Sequence, residues 1–343
     1  MTSPLLATRG AVPADGVDAG VAAHYGDPYG EQRALAGGFG VIDRSHRGVL
    51  RITGADRLSW LHSLTTQDTE RLAPGVAVEA LVLSPQGHVE HHLTLTDDGS
   101  ATWIHVEPDE AGPLLEFLGS MRFMLRVDLE DVTAEYSVLT LLGPELPGDD
   151  RGGIRLDTGF GTDLIVRREM LAEAVAGLRS AGGALAGMWA HEALRIAAGR
   201  PRLFLDTDHR TIPHEVGWIE SAVHLTKGCY RGQETVARVH NLGHPPRRLV
   251  LLHLDGSEDK LPAHGADVML DGASVGFAGS AARHYELGPI GLALVKRTTP
   301  VAATFTVDGI AAAQEVLVSP DAGAKVQIDA GLRRRANLMG RAR

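Results

Sequence analysis

The chain has 343 residues, a hydrophobic share of 44% and a charged share of 22%. This composition is typical of a folded protein with more than one core, and it excludes global disorder. Lys plus Arg number 33 against 43 for Asp plus Glu, and the resulting charge of -10 makes the chain a poor general binder of nucleic acid. The single cysteine, Cys229, excludes an internal disulfide and a metal site built from several cysteines of one chain.

The sequence indicates neither a membrane span nor a secretory signal. No apolar run reaches the roughly 18 residues that a transmembrane helix needs. The opening residues, MTSPLLATRG, have no cationic flank before an apolar stretch, so they do not match a secretory signal. We therefore expect a cytoplasmic protein in which Cys229 is reduced.

The first two thirds of the chain mix strands and helices. Residues 1–39 are rich in Ala, Gly, Pro and Asp, which indicates a loosely structured lead-in. Alternating apolar runs then predict strands at 49–52, 76–83, 89–96, 101–106, 135–142 and 164–166. Helical spacing predicts helices at 53–64, 114–118, 170–178 and 184–197. Because the strands come in hairpins, we expect an α+β fold with antiparallel sheets rather than a doubly wound parallel sheet.

The last third has a different pattern. After Pro245 and Pro246, short β runs separated by Gly, Pro and Asp predict a small all-β barrel over 246–320. The predicted strands of this barrel are 248–254, 268–270, 274–278, 290–294, 304–307 and 316–318. Residues 40–245 then form the preceding α+β region. Residues 321–343 are a basic tail, which we interpret as a solvated end, with a contact arm for RNA or an acidic partner as the alternative.

Potential metal ligands gather at His88, Glu90, His91 and His92. On a regular strand His88, Glu90 and His92 would share one face, which is the arrangement that a metal site needs. Histidines that simply lie on an exposed strand face are commoner than histidines that bind a metal, so we expect no metal site here.

The most informative stretch is the octet at 227–234, Lys-Gly-Cys-Tyr-Arg-Gly-Gln-Glu. Lys227 and Arg231 each lie two residues from Cys229, and nearby cations favour a thiolate over a thiol. The two glycines permit tight turns and the close approach of a ligand. A helix that begins near Gln233 would also favour an anion at this loop. The alternative is a buried, inert cysteine, the usual fate of a single Cys.

The octet resembles the K-G-C-Y-x-G-Q-E signature of the YgfZ proteins, folate-binding relatives of the glycine cleavage T-protein, GcvT. Other segments resemble the wider family in the same order along the chain: 43–48, 54–68, 194–201, 212–213, 237–238, 243 and 247–249. The likeness covers roughly residues 40–318, and the octet is its most specific part.

The resemblance implies a GcvT/YgfZ-like fold of three modules around a central cavity. Two intertwined modules would lie within 40–245, and the C-terminal barrel would be the third. It also implies tetrahydrofolate, or a derivative, in the cavity and a role in the assembly or repair of iron–sulfur enzymes, including those that thiolate transfer RNA. Such enzymes or cluster-assembly proteins would be the partners. One thiol cannot supply the four ligands of a usual cluster, so we expect no stable metal or intrachain iron–sulfur cluster.

The same resemblance suggests the site residues. Cys229 would act as a nucleophile or transient ligand, and Lys227 would tune it or meet the glutamate of folate. Glu215 would bond the donor edge of a pterin ring, since a carboxylate matches adjacent N–H groups, although a capping acid is the alternative. The further candidates for folate binding are Glu90, Arg195, Arg231, Tyr230, Gln233, Glu234 and Trp218.

Two departures from the T-protein pattern argue against glycine cleavage. In place of the T-protein aspartate after the glycine of the second hairpin, this chain has Glu90, a carboxylate one methylene longer. Ala197 stands where the T-protein tends to have an acid. A folate-dependent aminomethyltransferase or demethylase that uses Glu90 therefore remains the first alternative. The second is a noncatalytic protein that recruits clients through the loop and the basic tail.

Overall fold

The computed structural model describes residues 2–148, 152–257 and 259–323. The strands within these residues are β1 Val12–Pro13, β2 Ala22–His24, β3 Gly40–Asp43, β4 Gly48–Thr53, β5 Ala77–Leu83, β6 Val89–Asp97, β7 Ala101–Val106, β8 Asp128–Asp131, β9 Tyr136–Leu142, β10 Ile154–Asp157, β11 Thr162–Arg167, β12 Ala184–Ala186, β13 Arg247–Leu254, β14 Asp267–Leu270, β15 Ala273–His284, β16 Gly288–Lys296, β17 Thr304–Val307 and β18 Ile310–Val316. The α-helices are α1 Pro28–Gly37, α2 Arg57–Leu64, α3 Ala111–Ser120, α4 Leu171–Ser180, α5 Met188–Ala197, α6 Trp218–Ser221 and α7 Gln233–Leu242. Short 3₁₀ helices lie at Pro4–Ala7, Gly16–Asp18, Arg168–Met170 and Pro213–Val216.

Two five-stranded sheets form the centre of the molecule. Their strand orders are β10-β11-β9-β3-β12 and β5-β6-β7-β4-β8. Neighbouring strands are antiparallel except for β12 and β3, which pair in parallel. Residues 44–47 join β3 of the first sheet to β4 of the second, so the chain crosses between the sheets at this point. The crossing brings Arg44 and Arg47 to the central cavity described below.

Each sheet buries one face against helices. In the first sheet, Leu139 and Leu164 pack with Leu171 and Leu178 of α4. In the second, side chains of β4 and β6 pack on α2 and α3. Full burial of one such leucine stabilises the fold by about 2 kcal/mol, so these interfaces fix the sheets as rigid walls of the cavity.

The C-terminal module is a closed six-stranded barrel with the strand order β13-β16-β15-β14-β17-β18. Its core is mainly apolar, with Phe305 1% exposed and Val295 fully buried, although Arg248 of β13 is also fully buried. Among the described residues after 243 there is no helix. The expected α+β fold with antiparallel sheets and a C-terminal barrel is confirmed.

The N-terminal segment is more ordered than the sequence indicates. Within the predicted lead-in, residues 2–39, β1 pairs with β2 and α1 packs on α5 and β12. Val21 is fully buried and Leu35 is 1% exposed, and the Ser3 hydroxyl donates to the buried Asp43 carboxylate. Short elements separated by glycines hide their periodicity, which is why composition alone suggested a loose segment.

Three element predictions need correction. The predicted helix at 184–197 is instead strand β12 followed by α5, with the break at Gly187. The helix predicted from Thr53 begins at Arg57, because Thr53 is still the last residue of β4 and Gly54, which follows it, has a φ of +107° that no helix residue adopts. The last predicted strand, at 316–318, is displaced to Ile310–Val316. Most of the predicted basic tail, residues 324–343, lies outside the described residues.

Candidate functional site

Two adjoining cavities lie between the sheets. The larger has a volume of about 270 Å³ and the smaller about 80 Å³. Glu79 of β5, Thr94 of β6, Thr158 and Arg200 line both cavities. We call the pair the central cavity, and its position agrees with the arrangement that the sequence resemblance implies.

The smaller cavity is walled by buried charged side chains from distant parts of the sequence. They are Arg44, Arg47, His105, Glu107, Asp163, His191, Arg195 and Arg202. Burying charges is costly unless they are paired. The ion pairs among these side chains are therefore what makes their burial in the wall possible.

Glu107 is the central acceptor of this wall. Its carboxylate accepts from Arg47 Nη1 at 2.6 Å and from Arg202 Nη2 at 2.7 Å. Burial alone would raise the pKa of Glu107, but the two guanidinium groups outweigh it and hold that pKa well below its usual range. The carboxylate therefore stays ionised throughout the neutral range.

Arg202 extends the network to the N-terminal segment. Its Nη2 lies 3.0 Å from Asp18 Oδ1, and its Nη1 lies 3.0 Å from Glu192 Oε1 on α5. Arg195, one of the predicted folate contacts, also donates to Glu192. The sequence predicts that the N-terminal segment is loosely structured. Through Asp18, this segment is instead attached to the wall of the central cavity.

Arg195 also connects the wall to the barrel. Its Nη1 donates to Asp206 Oδ2 at 2.9 Å, and its Nη2 donates to the Ser280 hydroxyl of β15. A Cβ on Gly279 would lie 2.3 Å from Asp206 Oδ1, so glycine is needed for this close approach. Arg195 is 2% exposed and fully engaged, which indicates that it shapes the cavity more than it offers donors to a ligand.

Two buried histidines complete the wall. His105 Nε2 lies 2.9 Å from Asp163 Oδ2, and burial lowers the pKa of His105 to about 4 despite that carboxylate. Burial, with Arg44 nearby, also lowers the pKa of His191 to about 4. Both rings are therefore neutral at physiological pH.

The wall shared by the two cavities carries aromatic and acidic groups. His92 stacks on Trp218, with the ring centroids 4.6 Å apart, and its Nε2 lies 3.9 Å from Glu79 Oε2. Arg200 donates to the other carboxylate oxygen of Glu79. Burial would raise the pKa of Glu79, but His92 and Arg200 lower it to about 2. Glu79 Oε2 and His92 Nε2 are buried without a hydrogen-bond partner, so both atoms are available to bond a ligand in the cavity.

A β-bulge decides which residues of β6 face the cavity. The register with β5 pairs Val82 with His91 but Leu83 with Val89, so Glu90 is the extra residue. The bulge breaks the alternation along this stretch. Consequently Glu90 and His91 lie on the side of α3 while His92 faces the cavity, and the predicted common face of His88, Glu90 and His92 is wrong.

Glu90 and Arg231 form a pair away from the central cavity. Arg231 Nη1 donates to Glu90 Oε2 at 2.8 Å, and its guanidinium lies 5.4 Å from the ring centroid of Phe117 on α3. His91 bonds Glu110 at 2.9 Å near the same ring. These two predicted site residues therefore meet each other rather than the cavity.

The octet begins in the loop between α6 and α7, and its last two residues begin α7. The loop packs against the β5–β6 hairpin. Gly232 has a φ of +81°, and a Cβ there would lie 2.6 Å from the carbonyl oxygen of Ser84. Tyr230 is 8% exposed and belongs to a core cluster with Leu83 and Val89. The Cys229 thiol is exposed, so it is not the buried cysteine of the alternative interpretation.

Lys227 anchors this loop to the end of α2. Its ammonium donates to the carbonyl oxygens of His62, Thr65 and Gln67 and lies 5.2 Å from the ring centroid of Tyr230. Burial lowers the pKa of Lys227 to about 8, although Asp68 opposes the shift. The charge is used to cap carbonyl groups at the end of a helix.

The remaining octet residues lie at the start of α7. Gln233 is its first residue, and Glu234 pairs at 2.6 Å with Arg238 one turn later. The Glu234 side chain is 85% exposed. Neither residue lines the central cavity.

Glu215 is fully buried in an ion pair. Its carboxylate accepts from Arg247 Nε at 2.9 Å and Nη2 at 2.8 Å, and from the backbone N–H of Ile212. Arg247 also bonds Asp208 at 2.7 Å. This is the capping role named as the alternative for Glu215, at the start of the barrel.

Across residues 2–148, 152–257 and 259–323, no group of three or more His, Cys, Asp or Glu side chains is arranged to hold a metal ion. No helix in the same part of the chain is long and apolar enough to cross a membrane.

Comparisons with known proteins agree with this architecture. A family model described as the GCVT N-terminal domain matches residues 13–146. The crystal structure of the glycine cleavage system aminomethyltransferase T from Bartonella henselae superposes with a TM-score of 0.77, covering 94% of this chain and 98% of that one at 18% identity. The fold is therefore that of this aminomethyltransferase.

The relatives of similar sequence are named as aminomethyltransferases or, in one case, as a transferase. An aminomethyltransferase of Rubrobacter xylanophilus is 29% identical over 78% of this chain and 79% of its own length. One from a Nostoc species is 26% identical over 77% and 79%, respectively. A chloroplastic protein of Arabidopsis thaliana, named as a candidate transferase, is 27% identical over 71% of this chain, which spans 62% of that relative. Together these findings support a GcvT-like protein, while the narrower YgfZ assignment stays a prediction.

Sequence reasoning missed most of the cavity wall. Glu79, His92 and Arg200 were not singled out as folate contacts, and the ion network around Glu107 was not foreseen. A signal was present: Arg44 and Arg47, like Arg195 and Arg200, fall in segments that carry the family resemblance.

Proposed function

We propose that this chain is a cytoplasmic, tetrahydrofolate-binding protein of the YgfZ type that supports the assembly or repair of iron–sulfur enzymes. The observation that carries the proposal is the octet loop. It is a built unit, closed by Gly232 and anchored by Lys227, and it presents an exposed thiol. Such a loop suits transient contact with a client protein or a cluster in transfer.

The central cavity is the proposed folate site. Glu79 keeps an ionised carboxylate with one unpartnered oxygen on the wall shared by both cavities. A carboxylate matches the adjacent N–H donors of a pterin ring, and the stacked rings of His92 and Trp218 lie beside it. Arg200, at the same wall, supplies a cation for a carboxylate of the ligand. Tetrahydrofolate, when bound, supplies a carrier for one-carbon units.

The residues at the cavity disfavour aminomethyl transfer. The face of β6 that lines the cavity presents His92 and Thr94, and the bulge turns Glu90 towards Arg231. A carboxylate held on the other side of a strand cannot assist a reaction in the cavity, because even about 1 Å of displacement costs on the order of 100-fold in rate. The chain therefore keeps the proposed ligand site without the acid that the T-protein pattern places there.

A folate-dependent aminomethyltransferase or demethylase is the second candidate. The relatives named aminomethyltransferases favour it, as do the carboxylates of Glu79 and Asp157 in the larger cavity. Release of ammonia or formaldehyde from glycine-derived or N-methyl substrates, dependent on tetrahydrofolate and lost in Glu79→Gln, would establish this candidate in place of the first.

The test of the proposed function is complementation. In a strain that lacks this protein, the wild-type chain is expected to restore the activity of iron–sulfur enzymes, including one that thiolates transfer RNA. Cys229→Ala is expected to fail, while Ser180→Ala, on the exposed end of α4, restores activity as a matched control. Full restoration by Cys229→Ala would contradict the proposed role of the thiol.

A further inference from the structure

The smaller cavity contains one arginine whose charge is poorly compensated. Of the five arginines that line it, four donate a hydrogen bond to a carboxylate: Arg47, Arg195, Arg200 and Arg202. Arg44 is the exception. Within the described part of the chain, the carboxylate atom nearest to its guanidinium is Asp163 Oδ1, 3.6 Å from Nη1, which is too long for a hydrogen bond. Only 9% of the Arg44 side chain is exposed, so this cation is buried without a bonded anion, an arrangement that is costly.

One edge of the Arg44 guanidinium is free. Among the described residues, this group makes a single hydrogen bond, from Nη1 to Thr140 Oγ1 at 3.1 Å. Its Nε is buried without a partner. Nε and Nη2 form the edge whose two N–H bonds point in parallel, and such an edge binds the two oxygens of one carboxylate. Because Thr140 and Asp163 both lie at Nη1, this edge has no acceptor.

Asp163 is already engaged by other donors. Its Oδ1 accepts from the Thr140 hydroxyl, and its Oδ2 lies 2.9 Å from His105 Nε2. Burial and the neighbouring charge of Arg47 lower the pKa of Arg44 to about 10, although Asp163 opposes the shift. Both causes destabilise the charged guanidinium, and an anion beside it would offset them. The cavity wall therefore provides a cation that lacks its own anion.

The size of the smaller cavity limits what can bind there. Its volume of about 80 Å³ is the share of roughly two to three water molecules in the liquid. Phe160 also lines the cavity, and its ring meets the neutral ring of His191 edge-on, with the centroids 5.8 Å apart. A ligand with a planar carboxylate and a small apolar body matches a guanidinium edge in a cavity that also has an aromatic wall.

We propose that the smaller cavity binds a small free carboxylate, of the size of formate or acetate, on Nε and Nη2 of Arg44. This site adjoins the proposed folate site, since both cavities share Glu79, Thr94, Thr158 and Arg200. It does not depend on the proposed function, because every contact it uses belongs to the wall of the smaller cavity. The glutamate part of folate carries the same chemical group, so the test separates a free acid from a folate carboxylate.

Saturation-transfer NMR on the protons of sodium formate and sodium acetate measures this binding. The full chain is used without folate, and sodium chloride keeps the ionic strength constant. The variant is Arg44→Lys, which keeps the positive charge but replaces the two parallel N–H bonds with a point charge. Arg51→Lys is the matched control, because the Arg51 side chain is 41% exposed in a surface pair with Glu130.

We expect saturable binding of formate and acetate to the wild-type chain in the millimolar range. Arg44→Lys should weaken it about tenfold, the effect of one lost charge-assisted hydrogen bond, while Arg51→Lys should bind as wild type. Benzoate carries the same carboxylate on a ring too large for the cavity, so it should bind much more weakly than acetate.

A second variant keeps the test decisive if Arg44→Lys does not fold. Phe160→Trp enlarges a half-buried ring on the cavity wall and changes no charge. We expect it to lose formate binding while its circular dichroism spectrum stays that of wild type. Formate binding at wild-type strength in a folded Phe160→Trp would place the anion elsewhere and overturn the proposal.

Three other results would contradict the proposal. The first is equal formate affinity in Arg44→Lys and wild type, and the second is benzoate binding as tight as that of acetate. The third is displacement of formate by tetrahydrofolate, which would assign the Arg44 edge to a carboxylate of folate rather than to a free acid. If formate binds as expected but tetrahydrofolate does not bind at all, the carboxylate site stands and the proposed function fails.

Discussion

Glu107→Gln tests whether the buried ion network holds the cavity wall together. Glu107 is 7% exposed and accepts from two guanidinium groups, those of Arg47 and Arg202. The substitution keeps the shape but removes the charge, so Arg47 is left with a neutral amide and neutral His105 in place of a carboxylate, while Arg202 keeps Asp18 and Glu192. Removing one member of a buried pair costs about 3–5 kcal/mol, and we expect a loss of that size in the free energy of unfolding.

Urea denaturation followed by circular dichroism measures this loss. Glu130→Gln is the matched control, because its partner Arg51 is 3.2 Å away and both side chains are more than 40% exposed. Such a surface pair contributes less than about 1 kcal/mol. If Glu107→Gln stayed within about 1 kcal/mol of wild type, the network would not be the stabilising element that the contacts indicate.

Two further predictions concern acid and the octet loop. His105 and His191, with pKa values of about 4 against 6.5 for an ordinary histidine, are neutral in the folded state. The unfolded chain binds more protons between those values, so stability falls as pH falls from 6.5 to about 4, by on the order of 3 kcal/mol per histidine. The free energy of unfolding, measured at pH 7 and at pH 4.5, checks this. If the loss of stability between the two pH values were the same in His191→Gln as in wild type, the prediction would be contradicted. Gly232→Ala, with a φ of +81° and a carbonyl oxygen 2.6 Å from the new Cβ, should cost about 2 kcal/mol. Gly265→Ala, with a φ of +78° and open space, should cost about half as much; equal losses would refute the role of the close contact.

The sequence predicted the fold where local patterns agree with tertiary structure. The hairpins around Gly87 and Gly99 and the barrel strands combine alternation with turn residues, so β6, β7 and β13 lie close to where they were expected. The run at 184–197 was misassigned because an apolar stretch suits a buried strand as well as a helix. There Gly187 ends β12, and a Cβ on it would lie 2.3 Å from the carbonyl oxygen of Ala23.

The site was harder to predict than the fold. The octet was recognised from its residues, and the structure shows Cys229 exposed on a closed loop. The faces of β6 were mispredicted because one inserted residue, Glu90, breaks a rule that depends on perfect alternation. The cavity wall joins Asp18, Glu107 and Arg202, which are too far apart in sequence for any local pattern to connect them.

The central claim is that the cavity binds tetrahydrofolate, and an anaerobic calorimetric titration of the full chain tests it most directly. We expect saturable one-to-one binding in the micromolar range. Glu79→Gln should weaken it about tenfold, the effect of one lost charge-assisted hydrogen bond, while Glu130→Gln should bind as wild type. The absence of heat, together with no competition by folate analogues, would contradict the claim.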